Sequence, residues 1–207
     1  MGPIAMTRAF SLAAAAALSS MLVIAPAAMP FSFATLIPTA SAACPDVEVV
    51  FARGRQEPPG VGAIGDALVN SLRSKVPMSV GVYGVNYPAD LSAAAGARDI
   101  GNHVRSMASS CPNTRLVVGG YSLGATAADL FSRANSTPSG QIAAVALFGN
   151  GAKRLGPAPA FADRTIDQCA DGDLVCGEGF DWPSHLQPSY LGSGLVDQAA
   201  SFIAGRL

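Results

Sequence analysis

The sequence predicts an α/β fold, in which a sheet of about five mostly parallel strands carries helices on both faces. Apolar runs alternate with helix-like stretches through residues 43–207, and this alternation is typical of parallel sheets. Several of the runs are apolar without interruption, as in strands that are covered on both faces. We therefore expect a single-domain three-layer α/β/α sandwich.

The apolar runs predict strands at Val47–Ala52, Val80–Val85, Leu116–Gly120, Ile142–Phe148 and Arg164–Gln168. Helical periodicity predicts helices at Val61–Val76, Leu91–Ser109, Gly124–Ala134 and Leu195–Leu207. The Gly- and Pro-rich pieces between these elements are short enough to be loops beside the sheet. They do not mark a domain boundary.

The first 42 residues have a different composition from the rest. No charged residue occurs between Arg8 and Asp46. A positive flank, an apolar run over Ala9–Ala28 and a small-residue site at Ala40–Ala42 are typical of a secretory signal peptide. A retained membrane anchor is the alternative, because the run nearly reaches the length of a bilayer span, but the prolines within and after it favour cleavage. We expect a signal peptide at residues 1–42, a mature domain at 43–207, and a secreted protein, either free or associated with the cell envelope.

The charge balance excludes a nucleic-acid-binding protein. The chain has 13 Lys and Arg against 14 Asp and Glu, so it has no basic surplus to neutralise phosphates. Its hydrophobic content of 50% also excludes a disordered chain.

The four cysteines all follow the predicted signal peptide, and an even number in an exported chain predicts two disulfides. Cys169 and Cys176 are the most economical pair because they are close in sequence, which leaves Cys44 and Cys111. A zinc site would need tighter Cys/His pairs than these, so no metal is expected.

A serine between a predicted strand and a predicted helix is the candidate nucleophile. Gly120-Tyr121-Ser122-Leu123-Gly124 ends the strand and opens the helix. A sharp strand-to-helix turn needs small neighbours, so that the serine side chain clears the backbone, and the carboxyl edge of the sheet is the usual place for sites in open α/β folds. A serine that only caps the helix is the alternative, but the strand–helix context favours the nucleophile.

A serine hydroxyl needs a base within hydrogen-bond reach, and the chain has two histidines. His103 precedes Ser122 inside a helical stretch and is expected to be a structural or surface residue. His185 follows the last predicted strand, which fits the α/β-hydrolase order of serine, acid and histidine. His185 is therefore the predicted base.

The acid is predicted to lie between the serine and this histidine, where the candidates are Asp129, Asp163, Asp167, Asp171, Asp173, Glu178 and Asp181. Asp129 follows the serine on the same helix and would point away from it. Asp171 and Asp173 lie in the loop between Cys169 and Cys176, where a carboxylate could accept a hydrogen bond from the imidazole. Spacing does not separate these two.

With these motifs in place, the chain resembles the cutinase family, small lidless serine esterases of the α/β-hydrolase fold, and in particular its secreted actinobacterial branch. The resemblance covers Cys44–Leu207. It is carried by Ala52-Arg53-Gly54 after the first strand, by the Gly120–Gly124 motif, and by the Cys-x3-Asp-Leu-Val-Cys pattern at Cys169–Cys176.

The resemblance implies a role for individual residues. It makes Ser122 the nucleophile, Asp173 the acid and His185 the base. It also implies the disulfides Cys44–Cys111 and Cys169–Cys176.

Two positions depart from the family pattern at the expected oxyanion hole. A small hydroxyl residue is usual where this chain has Arg55, and Gln is common where it has Leu123. The backbone amides of these residues could still bind an oxyanion, but the extra side-chain donor is absent, and such a donor can be worth about 10²–10³ in turnover. The Arg55 side chain is open to three interpretations: a replacement donor, a contact for an anionic head group, or a solvated loop arginine.

The resemblance implies a carboxylic ester hydrolase that uses an acyl-enzyme, needs no cofactor, and takes ester or lipid substrates with transient contact to lipid surfaces. A monomer is expected. The alternatives are an acyltransferase or phospholipase of envelope lipids, and a weakly active or non-catalytic surface antigen on the same fold.

Overall fold

The computed structural model describes residues 44–134, 140–177 and 179–207. The predicted signal peptide at residues 1–42 lies outside the described residues. The sheet consists of β1 (Val47–Ala52), β2 (Val80–Gly84), β3 (Arg115–Tyr121), β4 (Ile142–Phe148) and β5 (Thr165–Gln168). The strand order is β2-β1-β3-β4-β5, and all four pairings are parallel. Each predicted strand agrees with the structure to within one residue at either end.

The helices are α1 (Gly62–Lys75), α2 (Ala93–Ser110), α3 (Leu123–Ser132), α4 (Gln187–Leu191) and α5 (Leu195–Ala204). The last helix ends at Ala204, three residues before its predicted end, because Gly205 follows and glycine is a poor helix former. The sequence did not predict α4 or the 3₁₀ turns at Lys153–Leu155, Pro159–Arg164 and Pro183–His185. These elements are too short to produce a periodic pattern.

Two apolar layers hold the helices against the sheet. Alternate side chains along a strand point to opposite faces, so Val50 and Val118 pack with α2 and α3, whereas Val49 and Val117 pack with α1 and α5. Because both faces are covered, the central strands β3 and β4 are buried almost throughout. The predicted three-layer sandwich is confirmed.

Both disulfides expected from the sequence are present. Cys44–Cys111 joins the residues before β1 to the end of α2, over a sequence separation of 67. Cys169–Cys176 closes a separation of 7 directly after β5. Within the three described ranges, every helix is too short or too polar to cross a membrane.

Candidate active site

Ser122 lies at the sharp turn from β3 into α3. Its backbone has φ 53° and ψ −116°, a left-handed conformation that is strained for a residue with a Cβ, and its amide donates to the carbonyl of Phe148 at 2.8 Å. The neighbouring glycines are required for space, since a Cβ on Gly124 would lie 1.9 Å from the carbonyl oxygen of Ala52. The turn therefore holds the serine side chain at the carboxyl edge of the sheet, where the motif predicts it.

His185 reaches this serine from the 3₁₀ turn that precedes α4. Its Nε2 lies 2.8 Å from the Oγ of Ser122, and the imidazole is 3% exposed. The hydroxyl of Tyr121 donates to the carbonyl oxygen of His185 at 2.5 Å. Gly149 makes room for the ring, because a Cβ there would lie 2.9 Å from His185 Cε1. Backbone and ring are thus both fixed.

Asp173 completes a continuous hydrogen-bonded chain from the serine. Its Oδ2 lies 2.7 Å from His185 Nδ1, and its Oδ1 accepts the amide of Val175 at 2.6 Å and that of Cys176 at 3.3 Å. Tyr190 donates its hydroxyl to Oδ2. Burial alone would raise the pKa of Asp173, but the hydrogen bonds from Tyr190, His185 and Val175 outweigh burial and lower that pKa. The carboxylate is therefore ionised opposite the imidazole.

The other candidates considered from the sequence lie elsewhere. Asp171 is exposed on the same loop, so the structure brings Asp173 to the imidazole and leaves Asp171 in solvent. Asp129 is buried on α3 and pairs with Arg133 at 2.6 Å. His103 bonds to Glu48 through Nε2 at 2.6 Å, which is a structural contact and one of the two roles expected for it.

The two residues whose amides are expected to form the oxyanion hole come from different elements of the fold. Leu123 is the first residue of α3, where helix amides have no intrahelical acceptor. Arg55 belongs to the loop after β1, and its side chain is exposed. Both residues line the cavity that contains Ser122 and His185.

The loop after β1 is fixed by a buried arginine. Arg53 is 5% exposed and donates to the carbonyl oxygens of Glu57 at 2.8 Å, Val85 at 3.3 Å and Tyr87 at 2.7 Å. The Tyr87 hydroxyl returns a hydrogen bond to the carbonyl of Arg53. These contacts fix the backbone next to Arg55 although the family's hydroxyl side chain is absent.

The carboxylate of Glu57 links this loop to the histidine segment. It accepts the amides of Gly54 and Ala63 and the side-chain amide of Gln187. Gln187 follows His185 by two residues, so one carboxylate joins the two segments of the site. Neither Glu57 nor Tyr190 could be identified from the sequence, because each contacts a partner that is distant in sequence.

The cavity over the serine has a volume of about 580 Å³. The apolar part of its lining consists of the side chains of Leu123, Val175, Trp182 and Leu186. Trp182 is 55% exposed, and the nearby Phe180 is 98% exposed. The site is therefore open to solvent and bordered by apolar groups.

The sheet is parallel, and a strained serine lies between one of its strands and the next helix. An acid and then a histidine follow this serine along the chain. Together these features define a small α/β hydrolase. The cutinase family model matches residues 43–207, which is most of the chain. The chain belongs to the cutinase family.

Named relatives agree with this family. The probable carboxylesterase Culp2 of Mycobacterium tuberculosis is 50% identical over 216 aligned positions, which cover 94% of both chains. The phospholipase Culp4 of the same organism is 45% identical and covers 97% of this chain and 92% of its own. A solved structure of Trichoderma reesei cutinase with a phosphonate inhibitor is 34% identical, covers 78% of this chain and 76% of its own, and has a TM-score of 0.67.

Proposed function

We propose that the chain is a secreted serine esterase in which Ser122 is the nucleophile, His185 the base and Asp173 the acid. The observation that carries this proposal is the distance of 2.8 Å between Ser122 Oγ and His185 Nε2, which is within the reach needed for proton transfer. The membership of the cutinase family supports the same chemistry, since members of it are carboxylic ester hydrolases.

The reaction follows from these positions. Ser122 attacks the ester carbonyl while His185 takes the hydroxyl proton, and Asp173 stabilises the imidazolium that forms. The amides of Arg55 and Leu123 donate to the oxyanion of the tetrahedral intermediate. His185 then protonates the leaving alcohol, and a water activated by His185 releases the acid from the acyl-enzyme. Each step uses groups of this chain and water.

The lining of the cavity supports the proposal that the substrates are esters with short or medium acyl chains. Leu123, Val175 and Leu186 offer an apolar surface next to the serine, and burying alkyl groups there is favourable by about 0.8 kcal/mol for each CH₂. The exposed Trp182 and Phe180 support transient contact with a lipid or polyester surface. A panel of p-nitrophenyl esters from acetate to palmitate tests the chain length.

A second candidate is phospholipase or acyl-transfer action on envelope lipids through the same three residues. It is favoured by the 45% identity to a relative named as a phospholipase. Product analysis with phospholipid vesicles, with and without an added alcohol acceptor, distinguishes phospholipid hydrolysis from acyl transfer. Free fatty acid alone supports hydrolysis, whereas acylated alcohol supports transfer.

Ser122→Ala tests the assignment of the nucleophile. We expect it to abolish hydrolysis of p-nitrophenyl butyrate while the circular dichroism spectrum stays unchanged. Ser132→Ala is the matched control, because Ser132 lies on the same helix and its hydroxyl bonds to the carbonyl of Ala128 at 2.8 Å. We expect this control to keep its activity. Activity retained in Ser122→Ala would refute the assignment of Ser122 as the nucleophile. A wild-type protein that hydrolyses no ester and reacts with no fluorophosphonate probe would support the alternative of a non-catalytic surface protein.

We also propose cleavage of residues 1–42 as a signal peptide and a monomeric mature protein. The two disulfides support an oxidising compartment outside the cytoplasm. Amino-terminal sequencing of protein from the culture medium and from the cell envelope tests cleavage and location. Light scattering during size-exclusion chromatography tests the monomer. A chain that starts before residue 40, or a dimer mass, would contradict these proposals.

A further inference from the structure

We propose that Tyr190 is a positioning residue for the esterase reaction, whose hydroxyl sets how much negative charge Asp173 presents to His185. This inference rests on the proposed function. The Tyr190 hydroxyl donates to Asp173 Oδ2 at 2.5 Å, and the same oxygen faces His185 Nδ1 at 2.7 Å. Two donors therefore share one carboxylate oxygen.

Tyr190 is held rigidly for this contact. It is fully buried, and its ring packs edge-on against Tyr121 at 5.6 Å and against Phe148 at 6.4 Å. A Cβ at Gly149 would lie 3.0 Å from the Tyr190 hydroxyl oxygen and 2.9 Å from His185 Cε1. The glycine therefore gives room to both groups at once, and the hydroxyl has a fixed place beside the histidine.

The hydroxyl stays a donor throughout the working pH range. Burial and the negative charge of Asp173 raise the pKa of Tyr190 far above its ordinary value, so its proton remains in place and points to the carboxylate. Tyr190 and Asp173 are both fully buried, and a charge-assisted bond between buried groups is strong. The bond from Tyr190 therefore weakens the electrostatic attraction between the Asp173 carboxylate and the His185 imidazolium.

This sharing has a consequence for catalysis. A carboxylate without the tyrosine would attract the imidazolium of His185 more strongly and would stabilise it relative to the neutral base. The stronger attraction would also hold back the proton that must pass to the leaving alcohol. Asp173 would at the same time lose one of its anchors. Tyr190 thus acts through Asp173 and does not touch the substrate.

Tyr190→Phe tests this inference, because it removes the hydroxyl and keeps the ring. The acid limb of the pH profile of kcat/KM reports the essential base of the free enzyme. We expect this limb to move to higher pH by about half a unit. A shift of this size corresponds to a part of the free energy of a hydrogen bond to a charged group. We expect kcat to fall about tenfold, with KM for a short ester changed less than about twofold, because the lost contact orients a catalytic group and not the substrate.

Tyr83→Phe is the matched control. The Tyr83 hydroxyl donates to the carboxylate of Asp99 at 2.9 Å, which is the same kind of bond at a place away from the catalytic residues. Its loss should lower stability and leave the acid limb unmoved. If Tyr190→Phe folds poorly, 3-fluorotyrosine incorporated at position 190 replaces it as the test. That stronger donor should move the acid limb to lower pH.

An acid limb in Tyr190→Phe that coincides with that of the wild type, or one that moves equally in Tyr83→Phe, would overturn the inference. A fluorotyrosine protein with an unmoved limb would do the same. Failure of the proposed function gives a different result, because wild-type protein would then show no hydrolysis that depends on Ser122.

Discussion

The disulfide Cys169–Cys176 has two separable effects, one on folding and one on the site, and replacing both cysteines with serine distinguishes them. Asp173 lies inside the short loop that this disulfide closes, and its Oδ1 accepts the amides of Val175 and Cys176. Without the disulfide, the loop can move while the rest of the sheet stays folded. We therefore expect a greater loss of turnover than of stability.

The magnitudes follow from the lengths of the two closed loops. With the chain-entropy relation, a separation of 7 corresponds to about 2.5 kcal/mol of stability, and a separation of 67 to about 4.4 kcal/mol. The longer loop is closed by Cys44–Cys111, which joins the start of β1 to the end of α2, at the edge of the sheet opposite to Ser122. The two disulfides should therefore rank in opposite order for stability and for activity.

The assay compares Cys169→Ser/Cys176→Ser with Cys44→Ser/Cys111→Ser. Urea unfolding gives the free energy of each, and initial rates on p-nitrophenyl butyrate at a temperature where both are folded give kcat. We expect a loss of kcat of at least about tenfold in the first pair and less than about twofold in the second, since of the two loops the first holds Asp173, the proposed acid. Equal losses of kcat in the two pairs, or a larger loss in the second, would refute this reasoning.

Further predictions concern the two carboxylates of the site. Glu57→Gln removes an acceptor from the amide of Gly54 or the side chain of Gln187 and should lower kcat about tenfold by loosening the loop after β1, which carries Arg55. Asp66→Asn on the exposed side of α1 should leave kcat unchanged. Asp173→Asn should lower kcat by about 10⁴, because the imidazole then takes the wrong tautomer. Because the pKa of Asp173 lies below its ordinary value of 3.8, its ionised form stabilises the fold above that pH, and this stability is lost as the pH falls through the lowered pKa. The difference in unfolding free energy between wild type and Asp173→Asn should shrink accordingly.

Contrary results for these variants are equally specific. Full activity in Glu57→Gln would show that the loop after β1 does not depend on the carboxylate. Turnover in Asp173→Asn within tenfold of the wild type would remove Asp173 from the reaction. A free-energy difference that stays constant from pH 7 to pH 2 would contradict the lowered pKa of that group.

The strands and the main helices could be predicted because each produces a local pattern. An apolar run such as Ile142–Phe148 is visible without knowledge of its partners, and the structure gives the same bounds. Ser122 and His185 could be predicted for a similar reason, since the glycine motif and the chain order point to them. Asp173 could be separated from Asp171 only by resemblance to the cutinase family.

The remaining features of the site arise from contacts between distant parts of the chain. The choice of Asp173 depends on which carboxylate receives the amides of the following residues and which faces solvent, and spacing does not encode this. Tyr190 meets Asp173 across 17 residues, and Glu57 meets Gln187 across 130. A tyrosine in a short helix or a glutamate in a loop has no local signature for such a role, so the packed structure is needed to find it.

The central claim is that Ser122 carries the acyl group during turnover. Intact-protein and peptide mass spectrometry after reaction with a fluorophosphonate measures this most directly. We predict one adduct for each protein molecule, on the peptide that contains Ser122, with esterase activity lost in proportion and no adduct in Ser122→Ala. An adduct on another serine that abolishes activity, or full esterase activity in protein labelled at Ser122, would contradict the claim.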